Sequence, residues 1–556
     1  EEERVRDPVA GRDATPPPAA PTPEQAAAMA AIAARPDGSG TLLYGVTGSG
    51  KTFVYLEAVR HALAAGRGAI VLVPEIALTP QTVRRFRGAF GDDVAVLHSA
   101  LSDGERADAW RVIRRGERRV VVGARSAIFA PVPSLGLVVL DEEHEASYKN
   151  GEAPRYHARD VAFVRARLEG ARVVLGSATP SLEAMARAGR DVALLRLPAR
   201  IGDRPMPPVE LVDVRSAPLV AELAPVPWSE ALDAAVDTVL RRGEQALLLL
   251  NRRGFAAYLQ CRACGAVADC PACSISLTVH RAPEGLRCHY CGHGAPMPPA
   301  CAACGGMVHA ERGIGTQQLE EAVARRFPTA RIGRMDLDTT GERWAHDRIL
   351  GAVEAGALDL LIGTQMIAKG LDFPGVTLVG VVDADTGLHL PDFRSAERTY
   401  QLLAQVAGRA GRGPRGGRVI VQTRSPRHHA LAAAAQHDTD GFLATELAQR
   451  ASPPYPPHLA LVNLLVSGTE EVPVADGASE VAAWCGRLAA ERAPALLVLG
   501  PAPCPLARLK TRWRWHVVVK GPPASVGAFV RYAARRMPRL PGGVRVVIDR
   551  DPVSLL

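Results

Sequence analysis

An α/β protein built on two parallel-sheet lobes, with a metal-binding insertion in the second lobe and a small α+β domain at the C-terminal end, is the fold class this sequence predicts. Three observations carry it. Short apolar runs end repeatedly in polar or glycine-bearing tips, as strands buried on both faces of a parallel sheet do, and they form one group before residue 200 and another after 245. Four C-x-x-C pairs stand between Cys261 and Cys304, inside the second group. Near the C-terminal end, residues 508–520 alternate with period two, the mark of a strand with one apolar and one polar face.

Length and charge set outer bounds. At 556 residues the chain exceeds a single core, so roughly three to four domains are expected. Sixty-six Lys and Arg against 58 Asp and Glu give a formal +8, and eight thiolates around two Zn²⁺ would bring this to about +4. Overall charge is therefore a weak argument for nucleic acid, and its local distribution decides. No apolar run has the length and character of a membrane span. The opening Glu1-Glu2-Glu3-Arg4 has no basic-then-apolar leader order. Because residue 1 is not Met, further sequence is expected upstream, with the Pro- and Ala-rich residues 1–20 as a linker arriving from it.

The first lobe, residues 21–200, begins with a helix near Thr22, with Pro23 and Glu24 in its first turn. Gln25 on that helix has a donor and an acceptor suited to an adenine edge, or is a solvated helix residue. The apolar run Thr41–Tyr44 leads into Gly45-Val46-Thr47-Gly48-Ser49-Gly50-Lys51-Thr52, a complete G-x-x-x-x-G-K-T phosphate loop. Backbone N–H groups of such a loop cradle phosphates, the lysine reaches the β/γ oxygens, and the final hydroxyl joins the Mg²⁺ shell. ATP and Mg²⁺ are the implied ligands. Further strands are expected at 68–74, 94–97 and 119–123.

Leu137–Leu140 then ends in Asp141-Glu142-Glu143-His144. Asp141 is placed to hold Mg²⁺ through water, and Glu142 to orient or deprotonate the attacking water. Behind this tip, Tyr148, Lys149, Arg155, Tyr156 and His157 interleave aromatic and basic side chains, a loop suited to stacking on DNA and touching phosphates. A strand over 171–175 ends in Gly176-Ser177-Ala178-Thr179-Pro180, whose hydroxyls could pass nucleotide state across the lobe. The Pro-rich residues 198–226 read as a bridge to the second lobe.

The second lobe, residues 201–256 and 305–440, is interrupted at 257–304 by Cys261/Cys264, Cys270/Cys273, Cys288/Cys291 and Cys301/Cys304. Eight thiolates at knuckle spacing complete two tetrahedral structural Zn²⁺ sites. The spacing allows sequential pairing of neighbours or nesting of the middle pairs inside the outer ones. His280, His289 and His293 are spare, and redox exchange needs fewer such pairs. After the insertion come strand-to-loop tips near 363 and 383, then Arg409 and Arg412, three apart and expected on one helical face, with planar forks suited to a γ-phosphate. In the C-terminal domain, residues 441–556, the alternation puts Arg508, Lys510, Arg512, Arg514, His516 and Lys520 on one face. Leu509, Trp513, Trp515, Val517 and Val519 take the other. The basic face is expected to be an exposed strip for phosphates or an acidic protein tail.

Together these motifs resemble superfamily 2 helicases, with two RecA-like lobes, and among them the bacterial replication restart helicases of the primosomal protein N-prime family. The resemblance runs from about residue 20 to the end. It rests on GVTGSGKT at 45–52, LVPEIALTPQ at 72–81, DEEH at 141–144, LGSATPS at 175–181 and the eight-cysteine insertion. GTQMIAKGLDFP at 363–374, QVAGRAGRG at 405–413 and GPAPCPLARLKTRWRW at 500–515 complete it. It implies a 3'-to-5' ATP-dependent DNA helicase that acts at stalled or recombined forks and initiates primosome assembly. It also implies nested zinc pairing, nucleotide roles for Lys51, Thr52, Asp141, Glu142, Arg409 and the arginine finger Arg412, and DNA coupling by the 145–160 loop. Implied partners are forked and single-stranded DNA, single-stranded DNA-binding protein, and primosome and helicase-loading proteins. The implied location is the cytoplasm, at nucleoid replication forks, and relatives carry an N-terminal DNA-binding region ahead of the core. The rival reading is a zinc-containing DNA-binding scaffold that unwinds little.

Overall fold

The computed structural model describes residues 20–74, 80–99, 101–250, 257–281, 284–311, 313–336, 339, 345–368, 373, 375–411 and 415–555. It divides into two compact units: the first takes the described residues up to Met206 together with 345–348 and 368, and the second takes the others from Pro207 on.

The first unit runs α1 (Pro23–Ala33), β1 (Gly40–Gly45), α2 (Lys51–Ala64), β2 (Gly68–Leu72), α3 (Pro80–Phe90), β3 (Val94–Leu97), α4 (Asp103–Arg114), β4 (Val120–Gly123), β5 (Leu135–Asp141), α5 (Ala158–Glu169), β6 (Arg172–Ser177), α6 (Leu182–Arg187) and β7 (Val192–Leu197). Its seven-stranded sheet has the order β3-β4-β2-β5-β6-β1-β7. The neighbours β1 and β6, β2 and β5, and β5 and β6 run parallel. Consecutive strand residues enter opposite cores: Leu42, Val138 and Val173 pack on one face, and Leu43, Val139 and Val174 on the other. This double burial explains why the strands read as unbroken apolar runs. Each fully buried Leu or Val side chain contributes about 1.5–3 kcal/mol. Thr22 caps α1 in a reciprocal box with Gln25, fixing where that helix starts. Residues 75–79 of the second motif lie outside the described residues.

The second unit continues with β8 (Val209–Asp213), α7 (Glu230–Arg241), β9 (Gln245–Leu250), β10 (Tyr258–Cys261), β11 (Thr278–Arg281), β12 (Glu284–Arg287), β13 (Gly294–Ala295), β14 (Val308–Glu311), α8 (Thr316–Arg326), β15 (Ile332–Met335), α9 (Ala345–Glu354), β16 (Leu360–Gly363), β17 (Val376–Asp383), α10 (Asp385–Leu388), α11 (Ser395–Ala407), β18 (Arg418–Thr423), α12 (His429–Gln436), α13 (Thr439–Gln449), β19 (Ala460–Gly468), α14 (Glu471–Arg492), β20 (Leu497–Leu509), β21 (Arg512–Gly521), α15 (Pro523–Arg536) and β22 (Arg545–Arg550). A six-stranded sheet, β15-β16-β9-β17-β18-β8, forms the second lobe. Residues 198–226 are thus more than a bridge, because β8 pairs in parallel with β18 as the edge strand. The insertion folds as an antiparallel sheet, β13-β12-β11-β10-β14, and reaches Glu311, past the expected boundary at 304.

The C-terminal domain is an antiparallel sheet, β20-β21-β19-β22. Val462, Leu464, Val517 and Val519 face α14 and α15, while Leu461 and Val518 face the cysteine-rich insertion. The expected alternation over 508–520 is broken here. Lys510 and Thr511 have φ of 48° and 66° and form the two-residue turn between β20 and β21. Arg508 therefore pairs opposite Trp513, with its guanidinium 5.5 Å from that ring, and leaves the face of Arg512 and Arg514. His516 and Lys520 are buried, so the expected basic strip is neither continuous nor fully exposed.

Candidate functional site

The phosphate loop joins β1 to α2, with Gly48 at φ 86° and Gly50, the N-cap of α2, at φ 78°. Both lie in the left-handed region that side chains avoid, and a Cβ on Gly50 would also stand 2.3 Å from the Gln25 amide nitrogen. Val46 N–H donates to the Leu197 carbonyl at 3.1 Å, and Ile201 N–H donates to the Gly48 carbonyl at 3.0 Å. The segment after β7 thereby holds the loop. Lys51 Nζ donates to the Gly45 carbonyl at 2.9 Å. Gln25 is 2% exposed, which removes the solvated reading. Its Nε2 donates to the Ser49 carbonyl at 2.9 Å while its Oε1 accepts from Thr22 N–H at 3.0 Å. Ser49 Oγ is buried with no partner among the described residues. A curled backbone, a lysine and an unpaired buried hydroxyl fit a polyphosphate, and Thr52 with the Asp141 carboxylate fits Mg²⁺, which prefers oxygen donors.

Asp141 closes β5 beside this loop. Tyr55, one turn into α2, donates to its Oδ1 at 2.9 Å. The contact needs Gly176 on neighbouring β6, because a Cβ there would fall 1.6 Å from Tyr55 Oη. Burial first, then the charge of Glu142, raises the Asp141 carboxyl to about 6, and Lys51 opposes the shift. Glu142 has φ 47°, turning the chain sharply after the strand. Glu143 is fully buried and accepts from Ser181 N–H at 2.7 Å, Ser181 Oγ at 3.0 Å and Arg159 at 3.1 Å. His144 Nδ1 lies 2.7 Å from Ser177 Oγ. Glu143 and His144 thus tie the tip of β5 to the tip of β6 and the start of α6. Glu143 was not anticipated as a linker; the only sequence signal was a second glutamate followed by a serine-rich tip.

The loop behind the tip differs from expectation at Tyr148. That ring is fully buried, and its hydroxyl donates to the Leu72 and Asp141 carbonyls at 3.0 and 2.6 Å. It braces the strand ends and presents no stacking face. Lys149 is buried too, and Arg125 donates to the Ser147 and Lys149 carbonyls. Arg155 and Tyr156 are half-buried, and Tyr156 meets the exposed Phe129 edge-on at 4.9 Å. His157 caps α5 by accepting from Arg159 N–H.

In the insertion, Cys261, Cys264, Cys301 and Cys304 gather into one cluster and Cys270, Cys273, Cys288 and Cys291 into another, each with its sulfurs within 4.8 Å of one another. This is the nested arrangement. Cross-pair distances of 3.6 and 3.7 Å match the about 3.8 Å that tetrahedral Zn–S bonds of 2.3 Å impose. Two such clusters suit two zinc sites. His289 instead contacts His280 Nε2 at 3.3 Å and the Pro503 carbonyl at 2.7 Å, joining the insertion to β20.

Arg409 lies in a turn, because α11 ends at Ala407 with Gly408 as its cap. Arg409 is therefore not on the helix expected for it, and Arg412 lies outside the described residues. In the C-terminal domain Arg512 donates to the Ser467 carbonyl at 3.0 Å and Arg514 to the Leu506 carbonyl at 3.5 Å. Lys510 is exposed at the turn.

Family models match in four places. They are a DEAD/DEAH box helicase over 22–188, the PriA DNA helicase Cys-rich region domain over 270–296, the helicase conserved C-terminal domain over 316–414, and the primosomal protein N C-terminal domain over 452–553. The chain is 50% identical over 480 residues to the replication restart protein PriA of Bacillus subtilis, covering 86% of this chain and 59% of that protein. It is 44% identical to that of Synechocystis, covering 92% of this chain and 62% of the relative, and 43% identical to that of Treponema pallidum, covering 96% and 80%. The chain thus spans about three fifths of the length of the first two. Among the described residues no helix is long and apolar enough to cross a membrane.

Proposed function

The chain belongs to the PriA family of replication restart proteins, and on that premise we propose that it is an ATP-dependent, 3'-to-5' DNA helicase that acts at stalled or recombined forks and initiates primosome assembly. The observation that carries the reading is the joint placement of Lys51 and Asp141: Tyr55 on the phosphate-loop helix fixes the carboxylate at the end of β5. Bound Mg·ATP supplies the transferable phosphoryl group and the cation that neutralises its oxygens. Lys51 and the loop N–H groups bind the phosphates, Thr52 and Asp141 face the cation, and Glu142 orients the attacking water. Gln25, its amide held between Ser49 and Thr22, is assigned the recognition of an adenine edge through its remaining hydrogen-bonding capacity. Arg409 and Arg412 carry the family's arginine motif and balance charge on the transferring group. Ser177, bonded to His144, links the hydrolytic tip to the rest of the lobe.

Forked and single-stranded DNA are the proposed substrates, with the 145–160 loop, chiefly Arg155 and Tyr156, and the Arg512–Arg514 face as contacts. Single-stranded DNA-binding protein and primosome and helicase-loading proteins are the proposed partners, at replication forks in the cytoplasm. ATP turnover with and without forked DNA tests the reading, alongside strand separation on a 3'-tailed fork. Stimulated turnover, lost in Lys51→Ala and Glu142→Gln, is expected. Tight DNA binding with no stimulated turnover in the wild type would refute it in favour of a zinc-bearing scaffold.

A further inference from the structure

Lys520, near the end of β21, is 2% exposed. Its Nζ donates to the Pro454 carbonyl at 3.1 Å and sits 4.3 Å from the centre of the Tyr455 ring. No carboxylate among the described residues pairs with it. A buried ammonium is costly unless an anion balances it, and neither a carbonyl nor an aromatic face does so fully. One ring away, Tyr455 Oη donates to the Cys273 carbonyl at 2.9 Å, and Cys273, Cys288, Tyr455 and Val518 share one packed cluster. Four thiolates around one Zn²⁺ leave two net negative charges. With Zn²⁺ bound the inner cluster would be a dianion with three of its four cysteines buried, and Lys520 is a buried lysine separated from it by the Tyr455 ring.

We propose that Lys520 is the counter-cation of the Cys270/Cys273/Cys288/Cys291 zinc site, so that the charge of the loaded site fastens the C-terminal domain to the ribbon. The outer site is served differently. A Cβ on Gly265 would lie 3.1 Å from Arg215 Nη1, so that guanidinium is next to the Cys264 knuckle. Arg215 already holds Asp213 through two bonds of 2.8 and 2.5 Å, and Cys304 is exposed, so water and a shared cation suffice there. Among the described residues Lys520 has no carboxylate partner to serve instead.

This rests on both clusters holding zinc, which metal analysis of the wild-type chain tests separately: fewer than two zincs per chain removes the premise itself. With two present, release to the chromogenic chelator 4-(2-pyridylazo)resorcinol is followed for the wild type and for Lys520→Met, Lys520→Gln and Lys520→Arg. Loss of a group that supports a metal's ligands typically weakens binding about 10- to 100-fold. One of the two zincs should leave faster by a factor in that range in the Met and Gln variants, the other should be unchanged, and Arg should restore the slow release. A purely structural lysine predicts the reverse for Met, since replacing an unneeded buried charge with an apolar chain of similar length is neutral or stabilising. Should the Met variant fail to fold, the Gln variant decides. Wild-type release from the neutral variants, or equal acceleration of both zincs, overturns the assignment.

Discussion

Replacing Arg159 with Met strips the cation from a carboxylate that has no exposed surface. The Glu143 side chain is 0% exposed and Arg159 13%, and they meet at 3.1 Å. Breaking one side of such a pair costs about 3–5 kcal/mol, since the remaining charge stays buried. Glu143 keeps two bonds from Ser181, which puts the loss at the lower end, about 3 kcal/mol. The double variant Glu143→Gln/Arg159→Met leaves a neutral amide still able to bond Ser181, and should cost about 1 kcal/mol, one net hydrogen bond. Hydrogen exchange of amides in β5 and β6, read by mass spectrometry on the whole protein, reports opening of this lobe. A loss of 3 kcal/mol appears as roughly 150-fold weaker protection in the single variant, and most of it returns in the double variant. Protection within a few-fold of wild type for Arg159→Met, or a double variant worse than the single, would refute the buried-pair argument.

Tyr55→Phe removes a hydrogen bond to a charged acceptor and should destabilise the first lobe by about 1.5–3 kcal/mol. The loss should vanish in an Asp141→Ala background, which removes the acceptor, and additivity in that cycle, followed by denaturant unfolding, would exclude the bond. His428 caps α12, accepting from Ala430 N–H through Nδ1. Burial first, then His429 and His389, lowers it to about 3, with Glu446 and Asp385 pulling the other way. Since the unfolded histidine titrates near 6.5, its contribution is complete above that pH and is lost as pH falls toward 3, about 2 kcal/mol by pH 5. His428→Asn keeps a capping acceptor and should flatten that part of the pH–stability curve; an unchanged curve would exclude the histidine as its cause. Replacing Arg512 and Arg514 with Gln should reduce the slope of log affinity for DNA against log salt by roughly 0.7–0.9 per lost phosphate contact. An unchanged slope would remove this face from the DNA path.

What could be read in advance follows from how local the cause is. The phosphate loop, the Asp141 tip and the buried strands depend on residues adjacent in sequence, and the structure places them together. The cysteines were legible as ligands, but their nesting depended on the antiparallel pairing of β10 with β14, which spacing alone does not encode. Tyr148 was misjudged because an aromatic among polar residues looks alike whether its hydroxyl meets water or two buried carbonyls. The turn at Lys510-Thr511 was hidden because it lacks the Asn-Gly or Asp-Gly pair that usually marks positive φ at both positions. Arg409 was placed on a helix because nothing before Gly408 signals the stop.

The ribbon's place within the second lobe bears on how the chain comes to be folded. Strands β8 and β9 leave the ribosome before the ribbon, yet both sheet neighbours of β9, β16 and β17, are made only after it. Until then the lobe's central strand has no partner in its own sheet. Pairing of Tyr258 with Glu311 and Cys261 with Val308 brings the two ends of the detour side by side. That pairing roughly halves the loop between Leu250 and Leu360 and so lowers its entropic cost by about 0.6 kcal/mol. Zinc, by closing the ribbon first, would act as a folding clamp for the lobe around it, and a shortage of the metal during synthesis would be felt as delayed closure of that sheet, in a part of the protein that never touches the ion.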